Sequence, residues 1–235
     1  MKSLVLLAHP DDELFILPLL LRESELTVIF LTNTARFQHS AQFLALKFPK
    51  VQCLQVKDLL FTDGKIYQEF GETSLQFLVN LIEHEGYDRL IAQNFENSHQ
   101  DHDAVAAICH RIQQEARLEI LFTNFYTFSS RRRWSFRIRE NTDISRSVPN
   151  DQWPAGRVEL IWLCIQGFIV YRKQWRIWIH IGLALLWSYI LRPRFYAANI
   201  PSKNKSFGQR WAYFTSHGED VIKDFVIKLD NYSVS

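Results

Sequence analysis

Five short apolar runs, separated by longer helix-like runs, constrain the first 125 residues of this chain more than any other feature. Leu4–Leu7, Leu26–Leu31, Val51–Val56, Leu90–Ala92 and Ile120–Phe122 are mostly apolar and bounded by polar residues. Strands buried on both faces of a parallel sheet look like this. Phe37–Phe48 reads as a helix. Ser74–Glu85 sets Leu75, Leu78, Val79 and Ile82 on one helical face and stops at Gly86, a C′ glycine. His102–Leu118 does the same with Val105, Ala106, Cys109, Ile112 and Ala116. Pro18 predicts that the first helix is short or kinked, and Asp63-Gly64 predicts a tight turn within an insertion. The alternation predicts an α/β fold, a Rossmann-like doubly wound and mainly parallel sheet. Right-handed crossovers then favour the strand order 3-2-1-4-5.

That order makes strands 1 and 4 neighbours at the switch point, where ligands bind beyond the carboxyl ends of the strands. The loop after strand 1 carries Ala8-His9-Pro10-Asp11-Asp12-Glu13, and the loop after strand 4 carries His99-Gln100-Asp101-His102. Several carboxylates at a strand end are costly to desolvate unless they meet something cationic. Catalytic zinc takes three protein ligands from His and Asp/Glu and keeps one position for water. His9 and Asp12, three apart at a helix start, can converge on one ion, and His102 can supply the third ligand. Asp11 is then a spare carboxylate placed as general base, and His99 a spare imidazole that protonates a leaving amine or steadies an oxyanion. Asp101 fits the orientation of one of these imidazoles.

Each residue also has a structural explanation. A lone histidine is more often a satisfied structural residue than a ligand, and Ser98 with Asp101 matches a capping box. Acidic residues in a first helical turn also suit the helix dipole. It is the coincidence of two clusters on two adjacent loops that favours a metal site. A dinucleotide is excluded, because the turn after strand 1 has no glycine and its three carboxylates repel phosphate.

Composition adds little for the first half of the chain and more for the second. A net charge of +2 names no partner, and nothing in the sequence points to nucleic acid. Cys53, Cys109 and Cys164 are odd in number, lack C-x-x-C spacing and sit in apolar runs. This predicts buried thiols, a reducing compartment and a cytoplasmic protein. Residues 1–125 and the extension 126–235 are expected to form one domain. Between Arg131 and Arg194 twelve Lys/Arg stand against four Asp/Glu. Arg131–Glu140 alternates charge with aromatics, Asn141–Pro154 reads as a loop, Val158–Tyr171 is strongly apolar, and Val221, Ile222, Phe225 and Leu229 mark a closing amphipathic helix. Ile177–Leu191 is shorter than the roughly 20 residues of a spanning helix. It is either a buried helix or an interfacial one, with Trp175, Trp178, Trp187 and Tyr189 at headgroup level, at the inner face of the membrane or against a lipid-linked substrate. A homo-oligomer interface has the same composition.

The two clusters resemble the paired signature motifs of the PIG-L/LmbE-like zinc-dependent de-N-acetylases, over roughly residues 1–125. The resemblance implies one Zn2+ per chain, or another divalent metal, held by His9, Asp12 and His102. It further implies Asp11 as base, His99 stabilising or protonating the intermediate, and an N-acetylglucosamine-type substrate in a glycoconjugate, glycolipid or surface-glycan precursor. Two departures stand out. Phe15-Ile16-Leu17-Pro18 replaces the small residues many relatives carry, and Arg36-Phe37-Gln38-His39 lacks the acid of an Arg-x-x-Glu helix start. Arg36 is either a substrate contact or a solvated charge. Tyr213 and His217 either close the pocket or serve the surface. The alternative to an N-deacetylase is a non-catalytic metal-binding partner in a glycan-assembly complex.

Overall fold

The computed structural model describes residues 1–32, 35–93, 99–116, 118–123, 127–128, 136–137, 156–175, 178–179, 182–183, 185–186, 197–198 and 218–232. Five parallel strands, β1 (Lys2–Leu7), β2 (Glu25–Phe30), β3 (Val51–Leu54), β4 (Arg89–Gln93) and β5 (Glu119–Thr123), lie in the order β3-β2-β1-β4-β5. This is the expected order. Thr127–Phe128 (β6) pairs with Phe136–Arg137 (β7) in a separate antiparallel ribbon. A two-residue strand, β8 (Ala197–Ala198), adds antiparallel to β5 at Thr123 and Phe122.

The period-2 alternation of each strand feeds two cores, one per face. Val5, Leu7, Val28, Phe30, Ile91 and Leu121 point to one side. There they meet helices α1 (Leu17–Arg22), α2 (Phe37–Lys47) and α6 (Arg157–Val170). Leu4, Leu6, Ile29, Leu31, Leu90 and Phe122 point to the other. That side is covered by α3 (Ile66–Glu69), α4 (Glu72–Glu85), α5 (Gln100–Glu115) and the C-terminal helix α7 (Gly218–Asp230). A parallel sheet covered on both faces needs apolar residues at nearly every strand position, which is why the strands read as continuous runs.

Local chemistry sets the helix ends. Residues Asp12–Ile16 form a 3-10 turn, and α1 follows with Pro18 in its first turn, where no intrahelical N–H is needed. The short first helix is thus as expected. α4 ends at Gly86 in the left-handed region (φ 66°), with Tyr87 N–H donating to the Ile82 carbonyl at 3.1 Å. Phe225 and Leu229 of α7 are buried, and Arg111 fastens that helix by donating to the Leu229 and Tyr232 carbonyls.

The C-terminal half packs on the core made by the first. Leu160, Leu163, Cys164 and Tyr171 share the α1–α2 side. Within the 177–191 run the described residues 178–179, 182–183 and 185–186 are helical. Trp178 is 7% exposed and packs against Phe15, Phe168 and Tyr171, with ring centroids 6.3, 5.1 and 6.2 Å away. It belongs to the core and not to a headgroup layer, because the Phe15 side chain gives it an apolar partner. Trp175 is exposed; Trp187, Tyr189 and most of 131–155 lie outside the described residues. Among the described residues no helix is long and apolar enough to cross a membrane. All three cysteines are free thiols; Cys109 and Cys164 are buried, while Cys53 on the edge strand β3 is half-buried, less enclosed than its run suggested.

Candidate metal centre

β1 ends at Leu7, and the next four residues are fixed from both neighbouring strands. Thr32 donates both its N–H and its hydroxyl to the Ala8 carbonyl, at 3.0 and 2.7 Å. Gln93, the last residue of β4, accepts the Ala8 N–H at 2.9 Å and donates its amide to Asp12 Oδ2 at 2.8 Å. Asp12 Oδ2 also accepts the His9 N–H at 2.8 Å. The switch point is therefore stitched by one glutamine that ties the end of β4 to the loop after β1.

The Asp12 carboxylate lies between two imidazoles. Its Oδ2 is 3.4 Å from His9 Nδ1 and its Oδ1 is 3.4 Å from His102 Nε2. Burial pushes this carboxyl up, but His102 and His9 outweigh it and hold the group well below the usual carboxylate range. His99 completes a triangle of rings, its centroid 4.6 Å from that of His9 and 4.8 Å from that of His102. Potential ligand atoms of His9, His99 and His102 lie within 4.8 Å of one another. Bond lengths of about 2.0–2.1 Å to a tetrahedral zinc imply ligand–ligand separations of about 3.3–3.4 Å. Asp12 meets the two imidazoles through different oxygens, while the three imidazoles of His9, His99 and His102 converge within 4.8 Å, and an imidazole-rich set beside carboxylates suits a first-row divalent metal. This buried His/Asp cluster can bind a metal ion.

A third loop joins the two foreseen. Asp101 accepts the N–H groups of Gly64 and Ile66, at 2.6 and 3.2 Å, and meets His9 Nε2 at 3.0 Å. Asp101 thus does orient an imidazole, and it also clamps the Asp63-Gly64 turn to the site. Asp63 Oδ1 sits 3.2 Å from the same His9 nitrogen, so His9, Asp63 and Asp101 form a second group of potential ligand atoms within 4.8 Å. Burial works against a charged His9, yet the three carboxylates raise its pKa well above the ordinary histidine value. The capping position of α5 is filled by His99, whose Nδ1 accepts the Asp101 N–H at 3.2 Å; Ser98 lies outside the described residues.

Asp11 has φ 119°, the one positive φ at a non-glycine residue among the described residues. Its N–H donates to Glu13 Oε2 at 2.8 Å, which keeps the turn closed. Burial pushes the Asp11 carboxyl up to about 6 against the pull of Arg36. Arg36 donates to Asp11 at 2.8 Å and to Asp63 at 3.3 Å, so its guanidinium bridges two acids of the site and is not a solvated charge. Burial, with the charges of His9 and His102, drives the His99 pKa well below its ordinary value.

All seven residues expected at the site, His9, Asp11, Asp12, Arg36, His99, Asp101 and His102, come together; Tyr213 and His217 lie outside the described residues. The third carboxylate of the first cluster does something else. Glu13 turns into the core, where Oε1 accepts the Tyr171 hydroxyl, and burial lifts its carboxyl to about 7. Asp63, Gln93 and Tyr171 escaped the sequence reading. An acid before glycine is already explained as a turn former, an uncharged Gln closing a strand carries no metal signal, and Tyr171 is remote in sequence.

Fold and site together define an α/β protein that carries a candidate metal centre at the switch point of a doubly wound sheet. No protein-family model matches the chain, and no curated protein matches it. In structure the chain is similar to the conserved protein TT1542 from Thermus thermophilus, at 15% identity over 89% of this chain and 100% of that one, with a TM-score of 0.49.

Proposed function

We propose that this chain is a metal-dependent hydrolase that removes an N-acyl group, acetyl by the resemblance of its paired motifs, from an amino-sugar. The observation that carries the reading is the Asp12 carboxylate set 3.4 Å from both His9 and His102, with Asp11 and His99 beside them. His9, Asp12 and His102 are the proposed holders of one zinc ion. A divalent cation there supplies Lewis-acid polarisation of the acyl oxygen and eases the ionisation of water.

The chain's own groups do the proton work. Asp11, with its carboxyl near 6, takes a proton from the water whose oxygen attacks the acyl carbon. His99 is neutral, and because its Nδ1 accepts the Asp101 N–H, its proton sits on Nε2. That N–H donates to the developing oxyanion, so His99 steadies charge and need not protonate the amine. Asp11 then returns its proton to the nitrogen as the C–N bond breaks, leaving a free amine and a carboxylic acid, whose remaining proton passes to the amine or to solvent. Arg36 holds Asp11 throughout.

The test is metal content and acetate release from N-acetylglucosamine derivatives carrying different aglycones. The wild type is expected to bind one equivalent of zinc and to release acetate. His102→Ala should lose the metal, and Asp11→Asn should keep it while losing at least about a hundredfold in rate. Stoichiometric zinc in His102→Ala, or full activity in Asp11→Asn, would sink the assignment. Stoichiometric zinc with no acetate from any derivative would favour the non-catalytic reading instead.

A further inference from the structure

We propose that α6 and the helical stretch after it form a contact face that seats the protein on an anionic phospholipid surface. The proposal is independent of the hydrolytic reading.

α6 spends one face on the core through Leu160, Leu163, Cys164 and Gly167. Its outward positions should then be polar. Apart from Glu159 in the first turn, the exposed ones among the described residues are Val158, Trp162 and Ile169 instead, with Trp162 58% exposed. The next stretch repeats the pattern. Trp178, Gly182 and Leu185 are buried, and a Cβ at Gly182 would meet Phe168 of α6 at 2.9 Å, so the two segments cross closely. Trp175, Ile179 and Leu183, at helical spacing, are turned outward, Leu183 at 64% exposed. Six of the nine large apolar side chains exposed among the described residues lie on these two consecutive segments. Single exposed apolar residues need no explanation; two stripes of them mark an interaction surface.

Charge selects the occupant. The turn joining the stripes carries exposed Arg172 and Lys173. A groove of about 630 Å3 between that turn and α2 is lined by these two cations with Lys47, His39 and Arg36, the last already paired with Asp11 and Asp63, and among the described residues no carboxylate lines it. From Gly156 to Leu186 the only acidic residue is Glu159. Two copies meeting through this face would oppose like charges with little to pair them. Anionic headgroups neutralise the same cations, while tryptophans rest at headgroup level and Ile179 and Leu183 enter the acyl boundary. Because Arg36 both lines the groove and pairs with Asp11, headgroups bound there lie beside the candidate metal centre.

The test is co-sedimentation of the full chain with vesicles of phosphatidylglycerol and phosphatidylcholine, or phosphatidylcholine alone, at low and high salt. Partition onto the anionic vesicles should be at least about tenfold stronger at low salt and should fall as salt rises. Trp175→Ser with Leu183→Ser, and separately Arg172→Glu with Lys173→Glu, should each weaken it about tenfold at unchanged Tm. Trp178→Ala is unsuited, since it opens the core. Quenching of wild-type tryptophan emission by brominated lipid is expected, and reads the contact without any variant. No partition at low salt, equal and salt-insensitive partition onto both vesicles, or a dimer abolished by the same substitutions without vesicle binding, would overturn the proposal.

Discussion

Tyr171, at the end of α6, donates its hydroxyl to Glu13 of the first motif, across 158 positions of sequence. The same hydroxyl also bonds Ser40 of α2, and the other oxygen of Glu13 receives the N–H of Asp11. One phenol thus ties α6 to the strained residue beside the candidate metal centre. Tyr171→Phe leaves the ring packed and strips two buried polar groups of their partner. It is expected to cost about 1–3 kcal/mol in urea unfolding. Under the hydrolytic reading, the loss of activity should appear in kcat more than in KM, because Glu13 shapes the turn that presents Asp11. Unchanged stability and unchanged kcat would show that the contact is idle.

Gly64 is the turn glycine of a loop that the sequence marks only as a tight turn within an insertion. Its φ is +81°, and a Cβ there would stand 3.0 Å from Gln100 Nε2. The Gly64 N–H is held by Asp101, so any shift of the turn pulls on the partner of His9. Gly64→Ala is expected to destabilise by about 1–3 kcal/mol, from backbone strain in the left-handed region. Under the proposed reading of the site as a zinc centre, it should also weaken zinc binding measured by competition with a chelator. Gly86→Ala makes the control: its φ is +66° but no atom lies within 4 Å of the added Cβ. It should cost similar stability and leave metal affinity alone.

The fold was legible because strands buried on both faces write themselves as apolar runs, and handedness then orders them. The site was legible for a related reason. His9, Asp12, His99 and His102 are dense in chemistry and stand at the exits of β1 and β4, which topology makes neighbours. What was hidden depends on side-chain direction. Glu13 follows Asp11 and Asp12 in sequence but points into the core toward Tyr171, and a run of three acids does not say which one turns away. Asp63 was visible as a turn residue only, since its approach to His9 is set by Asp101 holding the Gly64 amide. Trp178 read for a buried helix first and a headgroup layer second, and its contact with Phe15 places it in the core.

Gly167 tests how closely α6 sits on the first motif's turn. A Cβ there would fall 2.3 Å from Leu14 Cδ2, inside any tolerable contact. Leu14 is fully buried and has nowhere to retreat. Gly167→Ala gains helix propensity in the middle of α6 and still should destabilise, by about 1–3 kcal/mol of overpacking. Gly167→Ala with Leu14→Ala should recover part of that loss relative to Leu14→Ala alone, a coupling a double-mutant cycle reads directly. Additive effects would mean that the helix does not press on this residue.

The three thiols give a test of burial that needs no substitution. Burial pushes the Cys109 and Cys164 thiols far up, and lifts half-buried Cys53 to about 12 with help from the negative charge of Glu13. A raised thiol pKa favours the protonated form, and only the thiolate attacks an alkylating agent. In the native protein, iodoacetamide at pH 8 is therefore expected to leave Cys109 and Cys164 untouched and to label Cys53 slowly. The Cys53 rate should climb about tenfold per pH unit without levelling before the protein unfolds, because the fraction ionised stays small below its pKa. All three thiols should react at once in guanidinium chloride. Mass spectrometry of the labelled chain counts them, and rapid native labelling of Cys164 would mean that α6 does not stay packed on the sheet.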